Sequence, residues 1–88
     1  MTEGQATILV VDDDAAMTSA VAEVLRQSGY LPLSAQSGLE ALEIVKRDEP
    51  DLLISDLRMA EMSGHRLQQE LQTIAPNLPV VMITAFGT

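Results

Sequence analysis

The 88 residues, 9.5 kDa in all, leave room for one small domain, and with only Tyr30 and Phe86 aromatic any core must be aliphatic. Five Lys and Arg against thirteen Asp and Glu give a net charge of −8 and a pI near 4.2, which argues against phosphate-backbone binding and against anionic membrane surfaces and favours cations or a basic partner. The absence of cysteine excludes a disulfide scaffold and a thiolate metal site; Met1–Thr7 is polar with no secretory apolar region, and apolar runs such as Val80–Ile83 fall far short of the ~20 residues of a membrane span, so a soluble, cytoplasmic chain is expected.

In chain order, Ile8–Val11 reads as a buried strand, β-branched and apolar on both faces. Asp14 is placed to cap a helix whose apolar stripe is Met17, Ala20, Val21, Val24 and Leu25, with Gly29 as its left-handed stop. Leu31–Ala35 is a weak second strand, which Pro32 relegates to a sheet edge. Ser37-Gly38-Leu39-Glu40 has the spacing of a capping box and opens a second helix that turns Leu39, Leu42 and Val45 inward and ends before Pro50. Leu52–Ser55 is a third buried strand ended by Asp56. Ser63 caps a third helix with Leu67, Leu71 and Ile74 on one face, closed by Pro76; Val80–Ile83 is a fourth strand ended by Thr84.

Strict β-α alternation with short connections predicts a parallel sheet with right-handed crossovers. Ligands of such sheets bind at the carboxyl ends of the strands. Asp12, Asp13 and Asp14 follow the first strand, Asp56 the third and Thr84 the fourth. If those strands are neighbours, Asp12, Asp13 and Asp56 converge with Thr84 beside them. Clustered carboxylates repel one another unless a cation neutralises them, and hard oxygen donors select Mg2+ or Mn2+, which also coordinate phosphate. Asp14 is explained by its cap. The chemistry suggested is phosphoryl transfer onto a carboxylate, with Asp56 as nucleophile, Asp12 and Asp13 holding the metal and Thr84 bonding a phosphoryl oxygen.

Val10-Val11-Asp12-Asp13-Asp14, Asp56-Leu57-Arg58-Met59 with Met62-Ser63-Gly64, and Ile83-Thr84-Ala85-Phe86-Gly87 together resemble the receiver domain of two-component response regulators. The wording of the last two motifs is similar to the nitrogen-regulation branch, whose members activate σ54-dependent transcription. The resemblance runs from about Thr7 to Thr88. It implies a flavodoxin-like (CheY-like) fold with strand order 2-1-3-4 in this chain. Asp56 would accept phosphate from a sensor histidine kinase, Mg2+ would bind Asp12 or Asp13, Asp56 and the backbone carbonyl of Arg58, and Thr84 would be the switch hydroxyl. The module would be a signalling phosphoacceptor rather than a turnover enzyme and would bind no nucleic acid itself.

Two features depart from the family. Ala60 stands where Pro usually follows Met59, and the family domain continues past Thr88 through a fourth helix, a fifth strand and a fifth helix. The family's active-site lysine and aromatic switch residue therefore have no counterpart, and Lys46, on the second helix, is no substitute. Residues 1–88 read as a single, incomplete receiver domain, with the fourth strand an exposed edge through which the chain would dimerise or exchange elements.

Two other readings compete. Asp12 and Asp14 have the Asp-x-Asp spacing of a haloacid-dehalogenase-type phosphatase, although Ala16 stands where that family has Thr or Val, and Asp56 goes unexplained. The missing lysine also fits a degenerate receiver that only binds a partner. His65, the single histidine, reads as a solvated surface residue at the start of the third helix, and the five methionines mainly as core filler.

Overall fold

Short, largely apolar runs become strands, and the capped amphipathic stretches between them become helices. The elements are β1 (Thr7–Val11), α1 (Ala15–Gln27), β2 (Leu31–Ala35), α2 (Gly38–Asp48), β3 (Leu52–Asp56), α3 (Gly64–Ile74) and β4 (Val80–Ile83). This computed structural model describes residues 5–56 and 62–83. Arg58, Met59, Ala60, Thr84 and Phe86 lie outside the described residues. The strands form one parallel sheet in the order β2-β1-β3-β4, the expected order. β2, which carries Pro32, lies at one edge and β4 at the other.

The expected caps form. Asp14 accepts from the Ala16 amide at 3.0 Å, Ser37 from the Glu40 amide at 3.1 Å and Ser63 from the Arg66 amide at 3.1 Å. In the box at α2, the Glu40 carboxylate reaches one residue further back than the usual pattern and accepts from the Gln36 amide at 2.9 Å. At the end of α1, the Tyr30 amide donates to the Leu25 carbonyl at 2.9 Å and the Gly29 amide to the Arg26 carbonyl at 3.1 Å, with Gly29 at φ +94°. These are the paired bonds of a Schellman turn. A Cβ there would meet no atom within 4 Å, so alanine at Gly29 costs only its backbone strain, roughly 1–2 kcal/mol.

Register decides where the core sits. Leu9 pairs with Leu33 and Leu53, and Leu53 with Val80, so these residues share one face. That face packs on α2 and α3: Leu9, Val11, Ala35, Ala41, Ile44, Val45, Leu53, Leu67 and Leu71 form one buried cluster. The opposite face carries Ile8, Val10 and Ile54, and α1 lies against β1 and β2. Ile8 and Val10 are buried there, Ile54 is half-buried, and Val81 and Ile83 on β4 are each 45% exposed.

Three expected core stripes are rotated or trimmed. In α1 the buried positions are Thr18 and Ala22, while Met17 is 41% and Val24 61% exposed and Ala20 is exposed; Val21 and Leu25 are half-buried at the margin. In α2, Gly38, Ala41, Ile44 and Val45 face inward and Leu39 is exposed. In α3, Leu67 and Leu71 are buried but Ile74 is not. In α1 the small side chains of Thr18 and Ala22 let the helix approach the sheet closely, so they occupy the line of contact and the larger Met17 and Val24 are displaced to its flanks. Among the described residues no helix is long and apolar enough to cross a membrane.

Candidate functional site

The carboxyl ends of β1 and β3 bring two carboxylates side by side. Val11 pairs with Ser55 in register, so Asp12 and Asp56, the next residues, emerge from adjacent strand ends. The Asp12 amide continues the ladder past β1, donating to the Ala35 carbonyl at 3.1 Å. The Asp12 carboxylate then folds the chain into α1 by accepting from the Asp14 amide at 3.0 Å. Asp14 is engaged in capping α1, and Asp13 stands exposed between them. Asp56 is half-buried as the last residue of β3, opposite Ile83 of β4. Its carbonyl accepts from the fully buried Ser55 hydroxyl at 3.0 Å.

Asp12 is only 8% exposed. Burial raises its proton affinity above that of an ordinary aspartate, and the negative charges of Asp56, Asp13 and Asp14 raise it further; the Asp14 amide opposes them. A buried carboxylate facing further carboxylates is a donor set that suits a hard divalent cation. Among the described residues no three acidic or histidine side chains are gathered into a complete ligand set. The family resemblance implies a set of Asp12 or Asp13, Asp56 and the Arg58 backbone carbonyl, and Arg58 lies outside the described residues, as does Thr84.

The remaining candidates sit elsewhere. His65 is exposed near the start of α3. Lys46 borders a groove of about 680 Å³ with Glu49, Asp51 and Pro79, at the amino ends of β3 and β4 and across the sheet from the carboxylates. The Asp-x-Asp reading requires Asp14 to be chemically available, and its carboxylate instead holds the first turn of α1. One contact was not legible in the sequence: Met62, the residue before the Ser63 cap, lies against Gly38 at the start of α2, where an added Cβ would come 2.5 Å from the Met62 sulfur.

The comparisons with known proteins converge. The family described as the response regulator receiver domain matches residues 8–88. Transcriptional regulatory protein GlrR of Escherichia coli K12 is 41% identical over 88 residues, which is all of this chain and 20% of that protein. The chain thus spans about a fifth of the length of that curated relative. Among solved structures, chemotaxis protein CheY4 of Vibrio cholerae superposes with a TM-score of 0.90 at 28% identity, covering 97% of this chain and 72% of that one. Response regulator TrrA of Thermotoga maritima, in complex with Mg2+ and BeF, gives a TM-score of 0.88 at 30% identity, covering 94% and 72%.

Proposed function

Because the chain belongs to the response regulator receiver family, we propose that it is a phosphoacceptor whose Asp56 takes a phosphoryl group from the phosphohistidine of a sensor histidine kinase. The observation that carries the reading is the convergence of Asp12 and Asp56 at adjacent strand ends, with Asp12 buried and its charge opposed by its neighbours. An Asp56 carboxylate oxygen forms the new bond to phosphorus as the bond from phosphorus to the imidazole nitrogen breaks; the histidine leaves with the electron pair and an acyl phosphate remains. Asp12 or Asp13, Asp56 and the Arg58 carbonyl would hold Mg2+, which offsets carboxylate charge and coordinates a phosphoryl oxygen when bound. The Thr84 hydroxyl would donate to a phosphoryl oxygen and carry the change outward. In a longer protein of the GlrR type the output would be transcription, on the σ54-dependent branch. The acidic surface of this chain leaves DNA contact to other parts of such a protein.

Incubation with acetyl phosphate and Mg2+ followed by intact-mass measurement tests this reading. The chain should gain one phosphoryl group, and neither Asp56→Asn nor a sample containing EDTA should gain any. Uptake unchanged in Asp56→Asn would refute the assignment.

We further propose that the 88-residue chain self-associates through β4 as a homodimer or element-swapped oligomer. An edge strand presents a row of backbone donors and acceptors, and apolar Val81 and Ile83 are each 45% exposed there. Light scattering should show mass rising with concentration; a monomer at every concentration would sink this proposal.

A further inference from the structure

Ser55 is a fully buried polar residue in the central strand. In register it stands between Val11 of β1 and Met82 of β4, on the sheet face that α2 and α3 cover. A hydroxyl there loses its water, and an apolar side chain would fill the place without that cost. Among the described residues its hydrogen bond goes to the Asp56 carbonyl, at 3.0 Å. What the hydroxyl does is hold the backbone of the next residue. The bond closes a small ring through the Asp56 Cα, and both backbone torsions of Asp56 lie inside that ring. Asp56 is where β3 needs such a restraint. Pairing with β1 ends one residue earlier, at Val11 and Ser55, and pairing with β4 ends at Asp56 itself, opposite Ile83. The carboxylate therefore leaves the strand at a residue that the ladder register holds from one side. Fixing φ and ψ there fixes the direction in which its Cβ projects.

We propose that Ser55 is a positioning residue for Asp56: its hydroxyl fixes the backbone of the phosphoacceptor and so aims the carboxylate that attacks phosphorus. This rests on the reading of Asp56 as the phosphoacceptor. Transfer needs the attacking oxygen within about 3–3.5 Å of phosphorus and in line with the bond that breaks, and small misplacements cost rate steeply. A residue that touches neither phosphate nor metal can thus set the rate through the residue beside it.

The test follows labelling of the full chain by acetyl phosphate and MgCl2 over time by intact mass, with each variant's folded fraction taken from thermal denaturation. Ser55→Ala deletes the hydroxyl and fits the space. Its labelling rate per folded molecule should fall roughly tenfold, the low end of the effect of groups that orient a site from outside. Ser55→Cys, similar in size but a weak donor, should lose rate in the same direction. Ser55→Thr keeps the hydroxyl and should recover most of the wild-type rate, which a role in packing alone would not produce. Ile54→Ala is the control for general weakening of β3 and should label at the wild-type rate per folded molecule. Wild-type rate in Ser55→Ala, a loss in Ser55→Thr as large as in Ser55→Ala, or an equal loss in Ile54→Ala would each overturn the inference while leaving the phosphoacceptor reading intact. Should Ser55→Ala fail to fold by circular dichroism, Ser55→Cys decides in its place. A wild-type chain that gains no phosphoryl group, or gains it equally in Asp56→Asn, removes the functional reading and this inference with it.

Discussion

Asp12→Asn should stabilise the metal-free chain near neutral pH and abolish its stabilisation by Mg2+. Asp12 holds its proton more tightly in the folded state than in the unfolded one, because it is buried and faces Asp56, Asp13 and Asp14. Below the ordinary aspartate range both states are protonated and no penalty applies. As pH rises, the unfolded chain ionises first and draws the equilibrium toward itself; above the folded-state value the penalty is complete and constant. Asparagine keeps an oxygen for the Asp14 amide, which Asp12 now receives at 3.0 Å, and never ionises. The variant should therefore be the more stable one at pH 7, with the gap closing as pH falls through the ordinary carboxylate range. Mg2+ reverses the ranking: at one hundred times its dissociation constant a ligand of the folded state contributes about 2.7 kcal/mol, or roughly 10–20 °C in the midpoint of a domain this size. Thermal denaturation at matched ionic strength, with NaCl replacing MgCl2, separates this from screening of the −8 net charge. An Asp12→Asn variant that is less stable without metal would show that the buried charge carries no penalty, and one as responsive to Mg2+ as the wild type would show that Asp12 is not a ligand.

What the sequence discloses here follows the range of the interactions involved. The caps at Asp14, Ser37 and Ser63 and the turn at Gly29 are settled by residues within a few positions of one another, and all form as their residue types require. The strand order followed from alternation and family resemblance together. Helix rotation was not legible. Ranking positions by side-chain size selects Met17, Val24 and Leu39, whereas contact with a sheet favours Thr18, Ala22 and Ala41, and a stripe of period 3.6 does not say which edge of itself is innermost. At the site, Asp12 and Asp56 could be placed because strand ends are places the topology makes special. The seat of Met62 on Gly38 joins residues far apart in the chain, and the glycine already had an adequate local explanation in the capping sequence.

The two faces of the sheet are unequally covered, and this sets the second large effect. Leu53 is fully buried at the centre of the sheet, flanked by Leu9 and Val80 in register and covered by Leu67 and Leu71 of α3 and by α2. Truncating such a leucine removes apolar contact and leaves a cavity, at about 2.7–5.0 kcal/mol. The whole chain, at roughly 0.05–0.15 kcal/mol per residue, has only about 4–13 kcal/mol to lose. Leu53→Ala should therefore bring the chain to the edge of unfolding at 25 °C. Ile54, one residue on, points to the opposite face, where it is half-buried and its neighbour Val81 is 45% exposed. Ile54→Ala should cost about 1–2 kcal/mol, because less area leaves water on folding and the site collapses more easily. Urea denaturation of the two variants reads the difference as a gap in midpoints, and equal losses would mean that the α1 face is as well packed as the other. The asymmetry bears on the site as well: Leu53 secures the strand from whose end Asp56 projects, so in Leu53→Ala acetyl phosphate labelling should fall with the folded fraction, while in Ile54→Ala labelling per folded molecule should be retained.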